Sequence, residues 1–117
     1  MWRVVSYLRL KRKFGGRPRM AKRTDSNQTV IVKCLRKLGC SVQILSDVGK
    51  GCPDIVVGYR GRNFLFEIKD GEKPPSARKL TEYEQYFFDT WNGQVCIINS
   101  TDEVNDFFIN EMSKGVM

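Results

Sequence analysis

Between Asn27 and Leu38 the apolar residues Ile31, Cys34, Leu35 and Leu38 recur three and four positions apart, as on one face of a helix, and Gly39 supplies a stop. Asp25 or Ser26 can cap that helix, and Gln28 lies one turn before Ile31 on its buried side. Ser41–Leu45 is a short strand candidate, and Ser46–Pro53, with Gly49 and Gly51, is a loop. Asp54–Tyr59 is β-branched and nearly all apolar, as expected of a central strand. Arg60-Gly61-Arg62 turns the chain, Asn63–Lys69 returns as a hairpin partner, and Asp70–Lys79 is a polar loop with Pro74-Pro75. Thr81-x-x-Glu84 has the form of a capping box opening a helix to about Trp91. Gln94–Asn99 is another apolar strand, and Ser100-x-x-Glu103 opens a terminal helix in the same way. This order predicts an α/β fold with a mixed central sheet of about four strands flanked by helices, the last strand entering through a helical crossover.

Two assignments in this pattern bear on binding. Tyr83, Tyr86, Phe87, Phe88 and Trp91 could form a base-stacking set, but their helical spacing assigns most of them to the core. The capping box already accounts for Glu84.

Composition narrows the chemistry. A chain of 117 residues has room for one modest core. Its 41% hydrophobic and 28% charged residues suit a globular domain, and no apolar run is long enough to span a bilayer. The stretch Trp2–Leu10 is too short and too interrupted by arginine for a signal peptide, which points to the cytoplasm. The four cysteines form no CxxC pair and read as free thiols, and there is no histidine. Imidazole-based catalysis is therefore excluded, leaving carboxylates, lysines or a metal held by oxygen ligands.

The net charge of +7 suggests nucleic acid until it is located. Residues 1–23 carry nine of the 20 Lys and Arg and no acid, so 24–117 carry 11 against 13 Asp and Glu, a balance of −2. The basic excess lies wholly in a glycine-rich, aperiodic leader that reads as disordered. That leader is either an arm contacting phosphates through charge alone or, since Met20-Ala21-Lys22 would make a natural start, an over-extended gene reading over 1–19.

The chemistry-bearing residues lie at two strand ends. Pro53-Asp54 opens the second strand and Glu67-Ile68-Lys69 closes the third. Residues two apart on a strand share a face, so Glu67 and Lys69 project together while Ile68 turns to the core. A tight hairpin returns Glu67 to the Asp54 end of its partner, beside the Gly49–Gly51 loop. Two carboxylates and an ammonium at one sheet edge suit magnesium-assisted phosphodiester hydrolysis, because Mg²⁺ takes a few carboxylate oxygens and keeps several waters. Asp54, Glu67 and the Ile68 carbonyl are the expected metal ligands, with Mn²⁺ as a substitute, and Lys69 would orient or deprotonate the attacking water or neutralise charge on the phosphorane. Lys50, inside the glycine loop, must lie close to Asp54 and is a candidate phosphate contact. Lys73, Arg78 and Lys79 either position the phosphate backbone or are solvated loop charges.

The stretch Asp54…Glu67-Ile68-Lys69 resembles the PD-(D/E)XK nuclease superfamily. More closely, Gly49-Lys50-Gly51-Cys52-Pro53-Asp54-Ile55-Val56-Val57-Gly58 followed by Phe66-Glu67-Ile68-Lys69-Asp70-Gly71 is similar to the small stand-alone VRR-NUC nucleases of phages and prophages. The likeness continues through Pro74–Thr81 to Trp91-x-Gly93-x-Val95 and Ser100-x-Asp102-Glu103, covering roughly residues 24–105. It implies a restriction-endonuclease-like core, a nuclease domain over 24–117, divalent-metal dependence and cleavage of branched or flapped DNA, with four-way-junction resolution the activity most often attached to this type. For a phage protein it also implies the bacterial host cytoplasm. Members commonly carry a glutamate on the first helix where this chain has Gln28, or Asn27 one residue earlier; an amide can hydrogen-bond a metal-bound water but adds no charge. The superfamily often has a further polar residue on the helix after the Glu-x-Lys strand, where Glu84 and Gln85 lie.

These readings converge on a structure-directed DNA endonuclease, catalytic through Asp54, Glu67, Lys69 and Gln28. It would act as a homodimer, since symmetric cutting of a junction needs two copies. The alternatives are a nucleic-acid-binding protein that keeps the fold without turnover, and a structural or packaging accessory whose charged triad merely solvates a strand end.

Overall fold

The computed structural model describes residues 26–114; the leader and the expected cap at Asp25 lie outside them. Helix α1 spans Ser26–Lys37 and buries Gln28, Ile31, Val32 and Leu35 along one stripe. It stops at Gly39, whose φ of +91° lets the Cys40 N–H turn back to the Leu35 carbonyl at 3.1 Å. Arg36 and Lys37 place positive charge at the dipole's negative end.

Strands β1 (Ser41–Ile44), β2 (Ile55–Tyr59) and β3 (Arg62–Ile68) form an antiparallel meander. β2 and β3 meet in a two-residue turn with both φ values positive, +51° at Arg60 and +80° at Gly61, the twist that joins adjacent strands. The pairing extends to Tyr59 opposite Arg62, so β3 begins one residue before the position its sequence pattern suggests. A one-turn 3₁₀ segment, Pro75–Arg78, lies within the polar loop expected over Asp70–Lys79. Helix α2 (Glu82–Thr90) then carries the chain across to β4 (Val95–Ile98), which lies parallel to β3. Helix α3 (Thr101–Lys114) closes the order. At its start the Ser100 hydroxyl accepts the Glu103 N–H (3.2 Å), while the Glu103 carboxylate accepts the Asn99 N–H (2.7 Å).

The sheet has two unlike faces. Ile55, Val57, Phe64, Phe66, Ile68 and Ile98 point to one side and, with Ile31, Leu35, Val104 and Phe108 of α1 and α3, form the buried core. Phe64 and Phe66 each meet Phe107 edge-on, at 5.1 and 5.2 Å between ring centres. Val56, Leu65 and Val95 occupy the opposite face and are only half-buried. Here the sequence expectation is corrected: no residue of α2 is buried, and Tyr83 and Tyr86 are 67% and 69% exposed. The helical spacing identifies an apolar stripe, but the stripe has too little of the domain against it to become core. Among the described residues no helix is long and apolar enough to cross a membrane.

Candidate active site

Asp54 precedes the first paired residue of β2, fixed by the buried ring of Pro53. Its Oδ2 accepts the Ile68 N–H at 2.7 Å, which ties the start of β2 to the end of β3. The register places Ile55 opposite Phe66, so Asp54 and Glu67 share the face away from the core. Ile68 turns inward as expected and is buried. Lys69 follows the end of β3 and extends its Nζ to Glu84 Oε1 at 3.0 Å and to Glu67 Oε2 at 3.4 Å.

Glu84 does more than cap its helix. Its N–H donates to Thr81 Oγ1 (3.2 Å) and its Oε1 accepts the Thr81 N–H (2.9 Å), the reciprocal capping box. The same oxygen receives Lys69, so one carboxylate both starts α2 and anchors the site's ammonium. The capping reading is correct but incomplete; the position after the Glu-x-Lys strand was the available signal. Gly51 makes this approach possible. Its φ is +79°, and a Cβ there would stand 2.3 Å from the Tyr83 carbonyl oxygen, so the glycine loop lies against the first turn of α2.

The first helix contributes two amides with different work. Asn27 Nδ2 donates to the Lys69 carbonyl at 2.6 Å and the Asn99 carbonyl at 3.2 Å, clamping the ends of β3 and β4. Gln28 instead faces the carboxylates and is 4% exposed, and its Nε2 has no hydrogen-bond partner. The choice between these residues therefore falls to Gln28 as the one that lines the site.

Gln28, Asp54, Glu67, Lys69 and Glu84 line one polar cavity of about 370 Å³, with Lys50 and Lys73 also on its wall. Arg78 and Lys79 are not part of that wall; Arg78 Nε donates to the Lys73 carbonyl at 2.8 Å and steadies the loop. Cys52 also lines the cavity, a contact the sequence reading did not foresee.

Three carboxyls facing one ammonium set the electrostatics. Burial, and then the charges of Asp54 and Glu84, push the Glu67 carboxyl up to about 8 against the pull of Lys69. Glu67 Oε1 is buried without a hydrogen-bond partner. Burial also raises Asp54, opposed first by the Ile68 N–H. For Glu84 burial acts upward, but the Thr81 N–H and Lys69 outweigh it and the carboxyl falls below its ordinary value. Burial works against the charged form of Lys69, yet the Glu84 hydrogen bond and the charges of Glu67 and Glu84 prevail and raise it. The Cys52 thiol is raised by burial and by the neighbouring Glu67 and Asp54 charges.

Among the described residues no group of three or more His, Cys, Asp or Glu side chains could hold a metal ion. Comparison of the chain with family models, with curated proteins and with solved structures returned no match in any of the three.

Proposed function

We propose that the chain is a divalent-metal-dependent DNA endonuclease with a restriction-endonuclease-like core, acting on branched or flapped substrates. The observation that carries this reading is the Asp54–Ile68 hydrogen bond, because it brings the Asp54 and Glu67 carboxylates, the Ile68 backbone and the Lys69 ammonium to one polar cavity. The strand arrangement supports it, with an acidic residue at the start of β2, Glu-x-Lys at the end of β3, and a parallel β4 reached through a helix.

The donor set suits Mg²⁺ or Mn²⁺ and does not suit zinc. Magnesium is commonly held by one or two carboxylates plus water and substrate phosphate, so two side-chain ligands suffice where no third is present. The unpartnered buried oxygen of Glu67 is the kind of acceptor that a hard cation satisfies. Asp54, Glu67 and the Ile68 carbonyl would hold the ion, which when bound supplies charge stabilisation at the phosphoryl group and a more acidic water. Lys69, paired with two carboxylates, stays protonated and donates to the attacking water or to a non-bridging phosphate oxygen. Gln28 offers its free N–H to the same oxygens. Lys50 and Lys73 hold the flanking phosphates by charge. Two copies would be required to cut a four-way junction symmetrically.

A magnesium-dependent nicking assay on four-way and flapped DNA tests this reading. Wild-type protein should cleave, and Asp54→Ala and Lys69→Ala should each lose about a hundred-fold or more. Equal activity in all three would remove the site assignment. Binding without cleavage in both Mg²⁺ and Mn²⁺ would favour a non-catalytic binder, a reading that the two-carboxylate centre and the neutral Gln28 also allow.

A further inference from the structure

On the exposed face of the sheet, beside the carboxylate cavity, lies an open groove of about 620 Å³. Val56 and Leu65, opposite each other on β2 and β3, help to line it, as do Phe87 and Trp91. These two rings stack at 4.8 Å with planes 17° apart, and Trp91 remains 48% exposed. Gly93 lets the chain pass the indole closely, since a Cβ there would stand 2.9 Å from Trp91 Nε1.

The groove and the carboxylate cavity are not separate places. Gly49, Lys50 and Cys52 line both, so the glycine loop is their common wall. A phosphodiester held in that cavity by Lys69 and Lys73 therefore has an apolar, aromatic recess directly beside it, with Lys50 on the wall between the two. That is the division a nucleotide presents, with a charged phosphate and a flat apolar base joined by a short sugar. A paired base has its faces covered by neighbouring bases and cannot enter, whereas an unpaired base can leave its strand and stack.

We infer that this groove receives an unpaired nucleobase next to the scissile phosphate, stacked on Trp91, so that the cut falls at a junction between single and double strand. The inference deepens the nuclease reading and rests on it for the position of the phosphate. Charge complementarity selects the occupant: Lys50 on the shared wall and Lys73 on the cavity wall attract phosphate, while the apolar groove accepts the base. Stacking also makes the site tolerant of base identity, as every base has a π-face.

The test is equilibrium binding in EDTA, where cleavage does not intervene, with three probes: a twelve-nucleotide oligo-dT, a blunt duplex of equal length, and a flapped duplex carrying 2-aminopurine at its first unpaired position. Trp91→Ala should weaken oligo-dT and flap binding by roughly ten-fold, leave duplex binding within about two-fold, and abolish the aminopurine quench; Trp91→Phe should restore most of both. Unchanged affinity and quench in Trp91→Ala would overturn the inference. So would a wild-type photocrosslink from 5-iodouracil at that position that maps away from Phe87 and Trp91, a readout that does not depend on any variant folding. If Trp91→Ala instead turns a dimer into a monomer without weakening oligo-dT binding, a second copy covers the groove and the inference fails. Groove-dependent binding with no cleavage in any divalent cation would support the groove and remove the nuclease reading; Asp54-dependent cleavage with unchanged Trp91→Ala binding would do the reverse.

Discussion

Replacing Glu67 by glutamine should stabilise the metal-free protein in alkali and leave it nearly unchanged in mild acid. Glu67 is 3% exposed and faces the charges of Asp54 and Glu84, which with burial raise its carboxyl from 4.5 to about 8. Because the folded-state value lies above the unfolded one, the native protein holds an extra proton between those limits. Stability therefore declines as pH rises from about 4.5 and levels off above about 8. The full gap corresponds to about 5 kcal/mol, and since water entry and movement of Asp54 and Glu84 relieve part of the repulsion, about 2–3 kcal/mol should reach the unfolding free energy. The upward shift of Asp54 acts in the same direction. Glu84, shifted down, loses its stabilisation only on acidification through the ordinary carboxylate range, and Lys69, shifted up, loses its own only above the ordinary lysine range, so neither reverses the slope between pH 5 and 9.

The assay is urea unfolding of wild type and Glu67→Gln in EDTA at several pH values across that window. The two proteins should agree within about 1 kcal/mol near pH 5, the cost of an unmet amide, and separate by about 2–3 kcal/mol near pH 9, with the variant the more stable. Millimolar magnesium should stabilise wild type at high pH and leave Glu67→Gln little changed, because the ion is linked to the folded carboxylates. Parallel pH profiles for the two proteins would refute the claim that Glu67 is held against like charge.

Gly51→Ala should destabilise the fold by about 2 kcal/mol or more in urea titration, since it combines a positive φ with a clash against the Tyr83 carbonyl. Thr81→Ala removes the hydroxyl that accepts the Glu84 N–H; it should cost about 1 kcal/mol and, by loosening Glu84 around Lys69, lower nicking more than it lowers substrate binding. Asn27→Ala breaks the clamp on the Lys69 and Asn99 carbonyls and should cost about 1–3 kcal/mol, with hydrogen exchange rising at the ends of β3 and β4 before elsewhere.

Much of this arrangement was legible because it depends on local rules. The spacing of Ile31 and Leu35 and the stop at Gly39 define α1. The two-residue alternation of β3 separates Glu67 from Ile68, and the Arg60-Gly61 turn returns it to Asp54. What was not legible depends on contacts distant in sequence. A helix pattern identifies the apolar stripe of α2 but not whether anything packs on it, so a spacing that assigns most of its aromatic residues to the core does not reveal that Tyr83 and Tyr86 lie outward. A capping box explains Glu84 by local geometry alone, so its second contact, with Lys69, is signalled only by its place on the helix after the Glu-x-Lys strand. Asn27 and Gln28 are adjacent amides on one helix, and only the position of β3 and β4 decides that Asn27 clamps strands while Gln28 faces the carboxylates. Arg78 and Lys79 share their sign with Lys73, but the 3₁₀ turn at Pro75 takes them off the cavity wall.

The central claim is that Asp54, Glu67 and the Ile68 carbonyl hold the divalent cation for hydrolysis. An anomalous-difference map from crystals grown with Mn²⁺ tests it most directly. A peak within coordination distance of both carboxylates, lost in Asp54→Ala crystals grown under the same conditions, is the expected result. A map with no peak there, or with its peak elsewhere on the protein, would contradict the claim.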